Sequence, residues 1–272
     1  MSSGSGPELW GIVNVTPDSF SDGGRYFDSD LAIAKADMLS DQGADVIDVG
    51  GESTRPGALR VDSEEEARRV VPVIASLAKN GTVVSVDTMR ASTARLALDV
   101  GAKIVNDVSG GLADKAMLAT VASADADYVI MHWRAHSTTM QDHAQYSDVV
   151  ADVVEELKVR LGTAIEAGIP SDRILLDPGL GFAKSSAHNW AILQDLPAFS
   201  IDNTRVLLGA SRKRFIGELM PENHKPEDRD ALSAVLGALA AESGVSALRV
   251  HNVKIHREAL DLWQALNRGT DV

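Results

Sequence analysis

The sequence predicts an α/β fold, a single (β/α)8 TIM barrel with its active site at the C-terminal ends of the strands. Three observations predict it. Eight short β-branched runs, at 9–15, 44–50, 82–87, 103–108, 128–132, 174–177, 205–210 and 247–253, alternate with longer stretches of helical character. No GxGxxG follows any run, which disfavours an open dinucleotide-binding sheet. A length of 272 residues suits one barrel, and no Pro/Gly/Ser-rich linker divides it.

The elements follow in order. Residues 1–8 begin Met1-Ser2-Ser3-Gly4-Ser5-Gly6, without the basic and apolar regions of a signal peptide. They are read as a disordered leader or cloning scar, and function falls to a barrel domain at 9–268. The runs themselves are nearly continuous in apolar residues, as strands buried on both faces must be. Between the second and third, Ser63-Glu64-Glu65-Glu66 reads as a capping box with an acidic first turn, and Gly81 as the stop. Pro72 predicts a kink or a late start there. From 147 to 167, Val149, Val150, Val153, Val154, Leu157, Leu161 and Ile165 mark one helical face, closed by Gly168. At 255–266, Ala259, Leu260, Trp263 and Leu266 mark another.

Composition narrows the function. Lys plus Arg is 26 and Asp plus Glu is 39, a net charge of −13 that repels nucleic acid and anionic lipid. There is no cysteine, which excludes disulfide scaffolds, Cys-ligated zinc, iron–sulfur clusters and Cys nucleophiles. No run of 18 apolar residues occurs, so the expected setting is cytoplasmic, away from the membrane.

Each strand turns polar near its C-terminal end: Asn14; Asp48 and then Glu52; Asp87; Asn106 and Asp107; His132; Asp177; Ser211 and Lys213; Arg249 and His251. One such residue is usually a turn former or cap, and Asp48 and Asp107 are open to that reading. Eight in eight point to a catalytic mouth. Period-two alternation sets Leu248 and Val250 toward the helices and Arg249 and His251 inward, with Asp177 likewise inward of Ile174 and Leu176. The loops 16–24 and 50–57 are long, polar and glycine-ended, as functional lids are. Weaker signals are set aside. His132, His136 and His143 have helical metal-site spacing, but His132 ends a strand. Ser211 beside Lys213 lacks a nucleophile elbow. Gly179-Leu180-Gly181-Phe182 is too short for a dinucleotide loop.

The segment from Asn14 through Thr16-Pro17-Asp18-Ser19-Phe20-Ser21-Asp22 to Gly24, together with Asp48-Val49-Gly50-Gly51-Glu52-Ser53-Thr54-Arg55-Pro56-Gly57, resembles two signatures of the dihydropteroate synthases, in their actinobacterial form. Ser85-Val86-Asp87-Thr88, Val105-Asn106-Asp107-Val108-Ser109-Gly110, Asp177-Pro178-Gly179-Leu180-Gly181-Phe182, Ser211-Arg212-Lys213 and Arg249-Val250-His251 follow in that family's order.

The resemblance implies condensation of 6-hydroxymethyl-7,8-dihydropterin pyrophosphate with 4-aminobenzoate to 7,8-dihydropteroate and pyrophosphate, in folate biosynthesis. It implies a pterin edge held by Asp87, Asn106, Asp177 and Lys213, with Thr54, Arg249, Val250 and His251 completing the pterin pyrophosphate site. Phe20, Thr54, Arg55, Pro56 and Ser211 would close over 4-aminobenzoate, and Mg2+ would be held through Asn14. Lys213, Arg249, His251 and Asp87 are the expected catalytic residues, in a dissociative, SN1-like displacement. A homodimer is a further implication, and the family is the sulfonamide target of folate biosynthesis. Asn252 and Ala183 stand where the family usually has Asp and Gly. A pterin-dependent methyltransferase on the same fold and a non-catalytic pterin-binding paralogue remain alternatives at this level.

Overall fold

The computed structural model describes residues 6–16, 27–53, 57 and 60–267. The apolar runs form β1 (Glu8–Asn14), β2 (Val46–Gly50), β3 (Val84–Asp87), β4 (Ile104–Asp107), β5 (Asp127–Met131), β6 (Ile174–Asp177), β7 (Arg205–Leu208) and β8 (Ala247–Val250). All are parallel and neighbours in chain order, and β8 returns to β1 through the pairs Leu9 with Leu248 and Trp10 with Arg249. The barrel is therefore closed. Around it lie α1 (Phe27–Asp41), α2 (Ser63–Lys79), α3 (Ala91–Asp99), α4 (Met117–Ala122), α5 (Val149–Glu166), α6 (Ser186–Gln194), α7 (Arg214–Gly217), α8 (Asp230–Glu242) and α9 (Val253–Asn267). None of the described helices is long and apolar enough to cross a membrane.

Alternation along the strands builds two cores. Leu9, Ile47, Val49, Val84, Val86, Val105, Tyr128, Ile130, Ile174, Leu176, Leu248 and Val250 point outward and pack with the helices. Trp10, Val46, Ile104, Val129, Leu175, Leu207 and Ala247 point inward and fill the lower barrel as a separate cluster. Two positions further along those strands stand Ile12, Asp48, Asn106, Met131, Asp177, Gly209 and Arg249. A buried aliphatic side chain gains about 1.5–3 kcal/mol. The polar residues of this upper layer forgo that gain and add a desolvation cost, which marks the layer as functional.

Several element ends differ from expectation. The run at 205–210 is a strand only to Leu208, and that at 247–253 only to Val250, because Val253 opens α9. The cap of α2 is Asp62, whose side chain accepts from the Glu65 amide at 2.8 Å; Ser63 is already helical. Asp62 is the stronger acceptor and precedes Ser63, so it ends the helix first. Pro72 lies within α2, which continues through it. Ile165 of α5 is 45% exposed, not part of the buried face. Successive i+4 steps drift by about 40° each, and by Ile165 the stripe has rotated away from the barrel, so Ala164 takes the buried place. Leu266 is likewise exposed at the end of α9.

A buried ion network fixes the segment after β2. Glu52 accepts from Arg60 at 3.0 Å, from the Val61 amide at 3.1 Å and from Arg90 at 2.9 Å. Arg90 also binds Glu66, which accepts from the hydroxyls of Thr88 at 2.7 Å and Thr93 at 3.0 Å. Removing one partner strands the other charges, so Arg90→Ala is expected to cost about 3–5 kcal/mol. Urea denaturation of the variant measures it; an unchanged midpoint would contradict the network's role.

Candidate active site

The upper layer brings together residues from five strands. Asp48, fully buried, accepts from Arg249 Nε at 2.6 Å and from Asn106 Nδ2 at 3.1 Å. Asp87 accepts from Arg249 Nη2 at 2.8 Å. One guanidinium thus ties β8 to β2 and β3, and Asn106 joins from β4. A guanidinium has five donors, so Arg249 keeps others for an anion above it. Asp48 Oδ1 and the hydroxyl of Ser85, paired across β2 and β3, are buried without a hydrogen-bond partner among the described residues.

Burial raises the Asp87 carboxyl to about 7, with Arg249 opposing and Asp48 adding to the rise. Across the barrel, burial raises Asp177 as well, and Lys213 holds it down. Burial lowers Lys213 to about 8 against the pull of Asp177. Lys213 precedes α7, donates to the Leu180 carbonyl and stands 4.7 Å over the Phe182 ring. Asp177 Oδ1 accepts the Gly179 amide at 2.7 Å. Gly179 is required: its φ is +69°, and a Cβ would lie 2.5 Å from the His132 carbonyl oxygen.

At the rim, the Ser211 hydroxyl lies 3.1 Å from His251 Nδ1 and accepts the His251 amide at 3.2 Å. Arg212 binds Asp230 through two nitrogens, at 2.6 and 2.8 Å, and Asn252 Nδ2 donates to the same carboxylate at 3.0 Å. Asn252 Oδ1 meanwhile accepts from Ile255 in the first turn of α9, so the amide caps that helix without a charge. Met89, Val108 and Met131, with Ala113 and Phe182, form an apolar wall. Carboxylates and an amide at the floor, an apolar wall and cations above suit a flat heteroaromatic ring with N–H groups on one edge and an anionic substituent on the other.

Three of the polar strand ends do not join. Asp107 accepts from Ser109, Gly111 and the Tyr128 hydroxyl, and so caps its own loop. His132 binds Glu156 and Lys184 outside the barrel. Glu52 belongs to the Arg90 network. Parity is the reason for the first two: Asn106 and Met131 point inward, so the next residue points out. The Val250 side chain also packs toward the helices, leaving only its backbone for the mouth. Phe20, Thr54, Arg55 and Pro56 lie outside the described residues.

The family model described as "Pterin binding enzyme" matches residues 10–251. The dihydropteroate synthase of Mycobacterium leprae (strain TN) is 48% identical over 271 residues, 97% of this chain and 95% of that protein. The chain belongs to the dihydropteroate synthases. Structure agrees. Xanthomonas albilineans dihydropteroate synthase with 4-aminobenzoic acid superposes with a TM-score of 0.90 at 45% identity, covering 96% of this chain and 93% of that one. The same enzyme in complex with 7,8-dihydropteroate gives 0.86 at 42% identity, covering 96% and 94%. Membership in the dihydropteroate synthases makes the methyltransferase and the silent paralogue the less favoured readings.

The resemblance in sequence implies Mg2+, and the surroundings of Asn14 bear on that expectation. Asn14 Oδ1 and Asp87 Oδ2 both border Gly50, where a Cβ would meet them at 3.6 and 3.5 Å. These are hard oxygen donors. Among the described residues no group of three or more His, Asp or Glu side chains could hold a metal ion. Mg2+ bound by one or two protein oxygens, with water and phosphate supplying the rest, fits such a site.

Proposed function

We propose that the chain condenses 6-hydroxymethyl-7,8-dihydropterin pyrophosphate with 4-aminobenzoate, giving 7,8-dihydropteroate and pyrophosphate. The carrying observation is the Asp48–Arg249–Asp87 arrangement, which sets a cation beside ring-binding acceptors inside one barrel mouth. Asp87, Asn106 and Asp177 hold the pterin edge, Lys213 donates to the ring, and the apolar wall takes its face. The methylene C–O bond breaks with its electron pair leaving on pyrophosphate. Arg249 and His251, with the backbone at Val250, stabilise that charge. The aniline nitrogen then bonds to the methylene and releases its proton to solvent. Asn14 would hold Mg2+, which when bound neutralises phosphate charge. Phe20, Thr54, Arg55, Pro56 and Ser211 are assigned to the 4-aminobenzoate side, where closure would keep water from the cation.

Activity is expected to peak between about pH 7 and 8. Asp87 must lose its proton, so activity rises through about 7, and Asp177, also raised by burial, must lose its own and shares that acid limb; Lys213 must keep its proton, so activity falls beyond about 8. A profile of kcat/KM for pterin pyrophosphate that stayed flat from acid to alkaline pH would contradict these assignments. Chromatographic appearance of 7,8-dihydropteroate tests the reaction itself, with a methylated pterin as the inert control. The reading carries with it a cytoplasmic enzyme, a domain at 9–268 and a homodimer. Exposed Val235 and Leu239 on α8 and Leu262 and Leu266 on the adjacent α9 support the homodimer, and sedimentation at twice the chain mass would test it.

A further inference from the structure

Lys184 is 4% exposed and lies outside the barrel, yet it bears on the mouth. Its Nζ donates to the Gly179 carbonyl at 3.1 Å, to the Phe182 carbonyl at 3.1 Å and to His132 Nδ1 at 2.8 Å. An ammonium has three N–H groups, and all three are engaged. His132 then presents Nε2–H to Glu156 at 2.9 Å, and Glu156 is held by Arg134. On the other side, the amide of Gly179 orients Asp177, and the Leu180 carbonyl receives Lys213. The turn is strained: Ala183 has φ +48°, and its carbonyl accepts the Tyr146 hydroxyl at 3.0 Å. Such backbone persists only where neighbours over-determine it.

We propose, on the reading of function above, that Lys184 is a positioning residue for the pterin half of the site, fixing Asp177 and the 179–182 turn through backbone carbonyls. The chain Glu156–His132–Lys184–Gly179–Asp177 runs from α5 to the end of β6. The charged groups around Lys184 are Asp177, Lys213, Arg134 and Glu156, with His132, His188 and the Tyr146 ring beside it. Those acting on Asp177 are Lys213, Lys184 and Arg249. Burial disfavours charge on both Lys184 and Asp177, and each supports the other's ionised form.

Lys184→Met and Lys184→Gln test this in the full chain. Both are expected to raise the KM for pterin pyrophosphate at least about 10-fold, while that for 4-aminobenzoate moves less than about 3-fold. Loss of the cation also raises Asp177, so the acid limb of kcat/KM moves to higher pH in both. Gln keeps two donors for the carbonyls and recovers part of the KM, but leaves the limb displaced. A folded variant with wild-type pterin KM and an unmoved acid limb overturns the proposal, whatever its melting temperature. Wild-type turnover is the separate control: its absence would sink the proposed reaction, whereas an active wild type with an unaffected variant sinks only the role of Lys184.

Discussion

Lys213→Ala is expected to lower kcat/KM by at least about 100-fold, the loss of one preorganised donor at the reacting centre. Three contacts make Lys213 hard to replace. It faces Asp177 across the pterin site, holds the Leu180 carbonyl and covers the Phe182 ring. Its ammonium is destabilised by burial, to about 8, so its charge is available at neutral pH but lost above it. Residual activity in Lys213→Ala should therefore no longer fall on the alkaline side. Arginine should not rescue it, because a planar guanidinium cannot occupy a site shaped for a compact ammonium. Steady-state kinetics on folded variant protein decide; wild-type turnover would remove Lys213 from the mechanism.

Arg249→Ala should also lower activity by at least about 100-fold, and in addition destabilise the fold by about 3–5 kcal/mol near pH 8. It leaves Asp48, fully buried, and Asp87 facing each other without a cation. The stability loss has a defined pH dependence. Asp87 is raised above its unfolded value, so the folded state binds its proton more tightly, and stability falls as pH climbs from about 4 to about 7. Arg249 limits that fall in the wild type. Without it the fall is deeper and extends higher, so the deficit is largest at pH 8 and shrinks toward pH 5, where Asp87 is protonated. Denaturant titrations at the two pH values measure it. An equal deficit at both would show that Arg249 acts through packing alone.

Strand parity made much of this site legible. Once Leu248 and Val250 are set toward the helices, Arg249 and His251 must face the mouth, and the same step places Asp177, Asn106 and Asp48. The same rule turns Asp107 and His132 outward, although both look like site residues when strand ends are simply collected. Asp48 was legible as a polar strand residue but not as the base on which Arg249 rests, because the two stand 201 residues apart in sequence. Lys184 offered still less: a lysine after a glycine-rich turn gives no sign of a buried partner 52 residues earlier. Met131 lies in an apolar run and carries no sign in sequence of its place in the apolar wall. Element ends were blurred where capping decides them, as at Asp62 and Val253.

The net charge of −13 disfavours large polyanions but not a small one. Lys213 and Arg249 stand with His251 around one mouth, and the buried carboxylates beside them keep those cations in place. In the proposed reaction this mouth drives departure of pyrophosphate from a pterin methylene. The most direct measurement is pyrophosphate release by the purified chain supplied with 6-hydroxymethyl-7,8-dihydropterin pyrophosphate, 4-aminobenzoate and Mg2+. One pyrophosphate released for each 7,8-dihydropteroate formed is the expected result; no release from folded protein that still binds the pterin would contradict it.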